Sequence, residues 1–208
     1  MYNVSHIVLF HQQSTAKLKT YILNKINELY GYDIFSADVI AKSSYDDENV
    51  KNKLHEVFKC VINGKVDKNL IKEKLNDTNI EVLNNIIHPY VKKQIKNIKS
   101  NYENNIAFIE VPLLFESKME DIFDASLVVS TNEKIRHLRL KNRNPEVYKS
   151  MLKLEKFQLS NDEKVKRATY VLISSDDENS NLKQLDNIIK SIKERRWLYV
   201  YFQFKRHI

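Results

Sequence analysis

The chain has 208 residues and a mass of 24.7 kDa; 42% of its residues are hydrophobic and 29% are charged. That is enough for one domain, or one domain with an inserted subdomain, with a real core, and it excludes a disordered chain. No apolar run exceeds a few residues, which excludes a membrane-spanning helix, and a single cysteine, Cys60, excludes an internal disulfide framework. The N-terminal segment MYNVSHIVLF lacks the basic n-region of a signal peptide, and with one cysteine the expected location is the reducing cytoplasm. The formal net charge is +7. Residues 134–167 hold eleven basic and four acidic side chains, so this one segment carries an excess equal to that of the whole chain. Such a segment is a solvated helical face, or it faces a phosphate-rich small molecule or a nucleic acid.

In chain order, residues 6–10 (HIVLF) read as a short buried strand. Residues 15–30 have helical phase, with Ile22, Ile26 and Leu29 on one face and Gly31 as a stop. Residues 33–35 suggest a second strand, followed by a helix that Ser36 caps and that runs through Ala41. Residues 46–59, 67–75 and 80–101 read as helices, and residues 106–111 (IAFIEV) as a strand stopped by Pro112. Residues 125–130 (ASLVVS) form another strand; 132–141 and 145–157 are helical, 169–174 (TYVLIS) is a last strand, and 182–195 a closing helix. The tail 195–208 (RRWLYVYFQFKRHI) is basic and aromatic, and reads as a packed terminal strand or helix, or as a contact surface for a partner or a membrane face. Strands separated by helices pair in parallel through right-handed crossovers, and these strands are apolar enough to be covered on both faces. The expected architecture is three-layer α/β, with ligands at the carboxyl ends of the strands.

Four segments, in order, resemble the dephospho-CoA kinase family. Residues 36–42 (SADVIAK) are similar to its DADxIAR segment, 87–92 (IHPYVK) to LHPxVR, and 110–116 (EVPLLFE) to DxPLLFE, the most specific of these strings. Arg139, Arg143, Gln158, Lys164 and Ala168 fall at the spacing of the family's lid. The departures are Ser36 for Asp, Lys92 for Arg, Glu110 for Asp, Thr169 for Asp, Ser174 for Asn, and above all the phosphate loop. Where the family has GGIGSGKS after its first strand, this chain has residues 11–20, HQQSTAKLKT, with no glycine.

A phosphate loop turns successive backbone N–H groups toward the phosphates, which needs positive φ at several positions and hence glycine. Counting from the strand makes Lys17 the phosphate lysine and puts Leu18 at the metal-binding hydroxyl position. Counting back from the helix core, at Ile22, Ile26 and Leu29, makes it Lys19, followed by Thr20; the second register keeps both functional groups and leaves Lys17 one turn earlier, in the loop. An ordinary strand-to-helix turn with surface lysines stays open as the alternative.

The resemblance implies a P-loop kinase fold with a parallel five-stranded sheet, a helical acceptor-binding insertion at about residues 43–104 and a basic helical lid at about 141–167. It implies ATP and Mg²⁺, and dephospho-CoA as acceptor, phosphorylated on its ribose 3′-hydroxyl in the last step of coenzyme A biosynthesis. It implies phosphate binding by Ser14, Thr15, Ala16, Lys17, Leu18, Lys19 and Thr20, and metal binding by Thr20 and Glu110. Catalysis would use Asp38 as the group that orients the acceptor hydroxyl, with Lys19, Arg139 and Arg143 on the phosphoryl group. His88, Lys92, Pro112, Leu113 and Phe115 would shape the acceptor site. From the residues alone, Asp38 also suits the first turn of a helix, His88 reads as a structural imidazole, and Cys60 as a packed thiol. No membrane partner is expected, and the assembly is expected to be a monomer or weak homo-oligomer. Two other readings stand beside the kinase: an impaired pseudokinase of the same fold, and a basic nucleic-acid-binding module. Against the last, only Tyr148 and Phe157 interleave the basic segment as stacking groups.

Overall fold

The computed structural model describes residues 6–12, 16–76, 78–102, 106–111, 115, 119–131, 141 and 158–205. The chain divides into two compact units, residues 1–34 with 103–208, and residues 35–102.

The first unit is built on a sheet of order β2-β5-β1-β6-β7. Its strands are β1 His6–Gln12, β2 Asp33–Ser36, β5 Ile106–Glu110, β6 Ala125–Ser130 and β7 Tyr170–Ile173. β1 lies at the centre, parallel to β5 on one side and to β6 on the other, and β7 continues in parallel beyond β6. All six residues of β6 are buried, as are Ile106 through Ile109. A strand buried on both faces has no polar alternation to show, which is why these runs read as continuously apolar. Helix α1 (Ala16–Tyr30) supplies Ile22, Leu23 and Ile26 to this core, and α7 (Glu178–Lys205) supplies Leu185, Ile188, Ile189 and Ile192. Gly31 closes α1 in the left-handed region (φ +67°), its N–H donating to the Asn27 carbonyl at 2.9 Å.

The expected elements differ from the structure in a few places. Leu29 is not a core residue: it is 56% exposed, because the buried stripe is carried by Leu23 beside Ile22 and Ile26. α7 begins at Glu178 and runs on to Lys205, so most of the aromatic tail continues the closing helix rather than forming a strand. Helix α6 (Asn161–Arg167) lies within the expected lid, where the sequence pattern shows no separate helix. The helices expected at 132–141 and 145–157 lie outside the described residues, apart from helical Lys141.

The second unit is helical. It contains α2 (Ala37–Ser43), a 3-10 turn at Ser44–Asp46, α3 (Glu48–Phe58), α4 (Lys68–Lys74) and α5 (Ile80–Asn101). Between α3 and α4 sits a hairpin of β3 (Val61–Ile62) and β4 (Lys65–Val66). Its turn residues Asn63 (φ +51°) and Gly64 (φ +76°) are both left-handed, as a type I′ hairpin requires. The core here is Val50, Leu54, Phe58, Cys60 and Ile71, with Leu83, Ile86 and Tyr90 of α5 packed against it. Cys60 is buried, and burial pushes its thiol pKa up, so it is a packed thiol as the sequence suggested.

Two of these helices carry an aspartate cap. Asp47 accepts from the N–H groups of Asn49 and Val50, both at 3.0 Å, and Asp67 does the same for Asn69 and Leu70 at α4. Asp47→Ala is expected to destabilise the fold by about 1 kcal/mol, read as a shift in the denaturant midpoint at constant slope. An unchanged midpoint would mean that water replaces the cap at no cost.

Candidate active site

The carboxyl ends of parallel strands are where such sheets bind ligands, because loops and helix N-termini converge there. In the first unit β1 ends at Gln12 and α1 starts at Ala16, with only three residues between them. His11 and Gln12, expected in the loop, instead pair with Val128 and Val129 of β6. Ala16, Lys17, Leu18 and Lys19 form the first turn of α1 and Thr20 follows, exposed. Lys17 therefore does not precede the helix, as the helix-phase reading expected; it is the second helical residue and Lys19 the fourth. The physical reason lies in the missing glycines. Ala, Lys and Leu are good helix formers, and nothing between Gln12 and Ala16 breaks the pattern, so strand and helix both extend into the loop. Ser14 and Thr15 lie outside the described residues.

Tyr21 ties this end of α1 to the start of α7, its hydroxyl donating to Glu178 at 2.5 Å. Burial, and then that bond, push its phenol up to about 12, so it remains a neutral donor at physiological pH. Farther along, the Tyr30 hydroxyl reaches Asp186 at 3.4 Å, and Lys193 lies over the rings of Tyr30 and Tyr32.

Glu110 closes β5 opposite Phe10 of β1, half-buried at the same carboxyl edge that α1 leaves. Phe115 is buried. Pro112, Leu113, Arg139 and Arg143 lie outside the described residues. In the segment expected as the lid, Gln158 is half-buried, and Lys164 is fully buried on α6, an uncommon place for an ammonium. Asn161 of α6 and Ser130 of β6 exchange side-chain hydrogen bonds at 3.0 and 3.2 Å. Sequence reading missed a reciprocal pair between β6 and the start of β7. The Ser126 N–H donates to Thr169 Oγ1 at 3.1 Å, and the Thr169 N–H donates to Ser126 Oγ at 2.9 Å. The signal was the Thr169 substitution itself, which puts a short hydroxyl where the family's Asp stands.

In the helical unit, Asp38 is the second residue of α2, exposed, one residue after the buried Ala37. Ser36 is the residue at the N-cap position, but its side chain makes no capping bond. His88 and Lys92 are half-buried one turn apart on α5. Burial, and then the Lys92 charge, hold the His88 imidazole below its ordinary 6.5. A neutral His88 in the folded chain, with an ordinary one in the unfolded chain, stabilises the fold above about pH 6.5; this contribution is lost as pH falls from there to the folded value. His88→Gln is expected to flatten this fall, measured by urea unfolding at about pH 7.5 and about pH 5.5. An unaltered pH dependence would place the acid-sensitive group elsewhere.

A five-stranded sheet with β1 central and parallel to β5 and β6, and a helix opening just past the carboxyl end of β1, are the architecture of the P-loop kinase fold class. The family model described as dephospho-CoA kinase matches residues 15–182. The chain is 33% identical over 160 residues to the dephospho-CoA kinase of Fusobacterium nucleatum, covering 74% of this chain and 81% of that one. It is 32% identical over 186 residues to that of Rickettsia bellii, covering 88% and 95%. A solved structure, the dephospho-CoA kinase from Campylobacter jejuni, shares the fold with a TM-score of 0.68 at 22% identity, over 90% of this chain and 97% of that one. The chain belongs to the dephospho-CoA kinase family.

Proposed function

We propose that the chain transfers the γ-phosphoryl group of ATP to the ribose 3′-hydroxyl of dephospho-CoA, giving coenzyme A and ADP. The observation that carries this reading is the family match across residues 15–182, which takes in both the strand-to-helix corner and the helical unit. In the transfer, the hydroxyl oxygen bonds to the γ-phosphorus, the bond from that phosphorus to the β–γ bridging oxygen breaks, and the hydroxyl proton passes to the Asp38 carboxylate. Lys19 and the N-terminal amides of α1 hold the phosphates, for a helix N-terminus offers N–H donors without intrahelical partners. Arg139 and Arg143, four residues apart in sequence, neutralise the charge that builds on the transferred group. His88, Lys92 and Phe115, with Pro112 and Leu113, shape the acceptor site.

The donor set fits Mg²⁺. Thr20 is an exposed residue near the start of α1, and Glu110 closes β5. Among the described residues no group of three His, Cys, Asp or Glu side chains gathers to form an all-protein cage. Mg²⁺ keeps several waters and takes one or two protein oxygens beside substrate phosphates, so Thr20 and Glu110 suffice to hold it. When bound, it neutralises charge on the β- and γ-phosphates.

Among the described residues no helix is long and apolar enough to cross a membrane. The test is a coupled assay of ADP release with MgATP and dephospho-CoA, and mass spectrometry of the product. ADP release dependent on dephospho-CoA, with formation of coenzyme A, sustains the reading; binding of both substrates without product overturns it.

A further inference from the structure

The helical unit contains a pocket between the start of α3 and the middle of α5, with a volume of about 180 Å³. Its apolar side is Val50, Ile86 and Pro89. Its polar side is Asn49, Tyr90 and two lysines, Lys53 on α3 and Lys93 on α5, with Asp47 at the edge.

The helix geometry explains the grouping. Ile86, Pro89, Tyr90 and Lys93 follow the three- and four-residue spacing of one α-helical face, and Asn49, Val50 and Lys53 do the same on α3. The two faces are held in register by the core beneath them, where Ile86 and Tyr90 pack on the cluster of Val50, Leu54 and Phe58. The Tyr90 hydroxyl is further fixed, 3.3 Å from Ser43 Oγ. The polar groups differ in what they have left to offer. Asp47 caps α3 through one carboxylate oxygen, Oδ1, at the edge of the pocket. Lys53 and Lys93 make no ion pair among the described residues, in a unit where Lys51 pairs with Glu48 and Lys74 donates to the Phe58 carbonyl at 2.8 Å. Two exposed lysines lining one apolar-walled recess offer an anion two positive contacts beside an apolar surface.

From this we infer that the pocket is a subsite for a diphosphate joined to an aliphatic amide arm: Lys53 and Lys93 take the phosphates, the wall of Val50, Ile86 and Pro89 takes the aliphatic carbons, and the Asn49 amide takes an arm carbonyl. Dephospho-CoA carries both pieces covalently joined. Lys92 is the neighbouring residue on α5, about 100° round the helix from Lys93. The inference rests on the kinase reading above and assigns to its acceptor site two lysines that the family's motifs do not include.

The test compares the wild-type chain, K53A/K93A and K72A, a control that removes an exposed lysine of α4 outside the pocket. All three mutated lysines are exposed, so the fold should survive, and circular dichroism checks that it does. K53A/K93A is expected to raise the KM for dephospho-CoA about tenfold, with kcat and the KM for ATP within about twofold of wild type and K72A unchanged. A KM for dephospho-CoA that stays at the wild-type value, or that K72A raises equally, overturns the subsite while leaving the kinase reading intact. If the wild-type chain shows no turnover, the kinase reading fails and calorimetry decides the pocket separately. Dephospho-CoA is titrated in the presence of a non-hydrolysable ATP analogue. Binding weakened about tenfold in K53A/K93A sustains the subsite, and absent or unaltered binding overturns it. Inorganic pyrophosphate is titrated in parallel; a lysine-dependent affinity for pyrophosphate without one for dephospho-CoA identifies a free-anion site and overturns the assignment to the acceptor.

Discussion

Asp38→Asn is expected to lower turnover of dephospho-CoA at least about 100-fold while leaving ATP affinity within about twofold, since positioned proton acceptors contribute factors of that size. The substitution keeps the shape of the side chain and removes its basicity. Asp38 also lies in the first turn of α2, where a carboxylate favours the helix N-terminus, so damage to the helix is a second route to lost activity. The two roles separate cleanly. The helix contribution is worth at most about 1 kcal/mol at an exposed position, shows as a lowered unfolding midpoint, and affects all substrates alike. The proposed base role shows as a fall in kcat with the midpoint unmoved, because an exposed side chain beside the buried Ala37 supports no core packing. Wild-type turnover in the Asp38→Asn variant removes Asp38 from the chemistry and leaves it as a helix-stabilising residue.

The phosphate lysine is the second large effect. Lys19→Ala is expected to reduce kcat/KM for ATP about 100-fold, and Lys17→Ala less than about tenfold, because one ammonium reaches the β- and γ-phosphate oxygens. Two features of α1 pull in different directions here. The core phase favours Lys19, since two of the three positions counted from it, Ile22 and Ile26, are fully buried and only Leu29 is exposed, whereas those counted from Lys17 fall on Thr20, Asn24 and Asn27, all exposed. The helix start favours Lys17, the second residue of α1. The substitutions weigh these directly. Thr20→Val supplies an independent reading: if Lys19 is the phosphate lysine, losing the adjacent hydroxyl raises the Mg²⁺ concentration needed for half-maximal rate. If Lys17→Ala is the more damaging change, Leu18 stands at the hydroxyl position, and Thr20→Val leaves the Mg²⁺ dependence unmoved.

Much of this protein is written into short stretches of its sequence. β6 was legible as Ala125–Ser130 because a central parallel strand is apolar throughout, and α5 as Ile80–Asn101 because its helical run is long. The crossover order placed β1 at the centre of a parallel sheet before any distance was known. The carboxylate of Asp38 and the lysines of the strand-to-helix corner were likewise visible as residue types in the right order. Other features depend on partners distant in the chain. The β3–β4 hairpin is local instead: its strands of two residues are too short for any period, and its sequence signal is the Asn63-Gly64 turn. Leu29 has the spacing of a core residue and is exposed, since which side of a helical stripe is buried depends on the sheet it meets. The bonds between Ser126 and Thr169 join residues 43 apart, and the pocket between α3 and α5 gathers Lys53 and Lys93 from two separate helices. Local propensity and periodicity are properties of a few consecutive residues, so most elements, their order and the chemical types at the candidate site are legible in short segments. The buried face of α1 and the meeting of Lys53 and Lys93 between α3 and α5 arise instead from packing between segments remote in sequence.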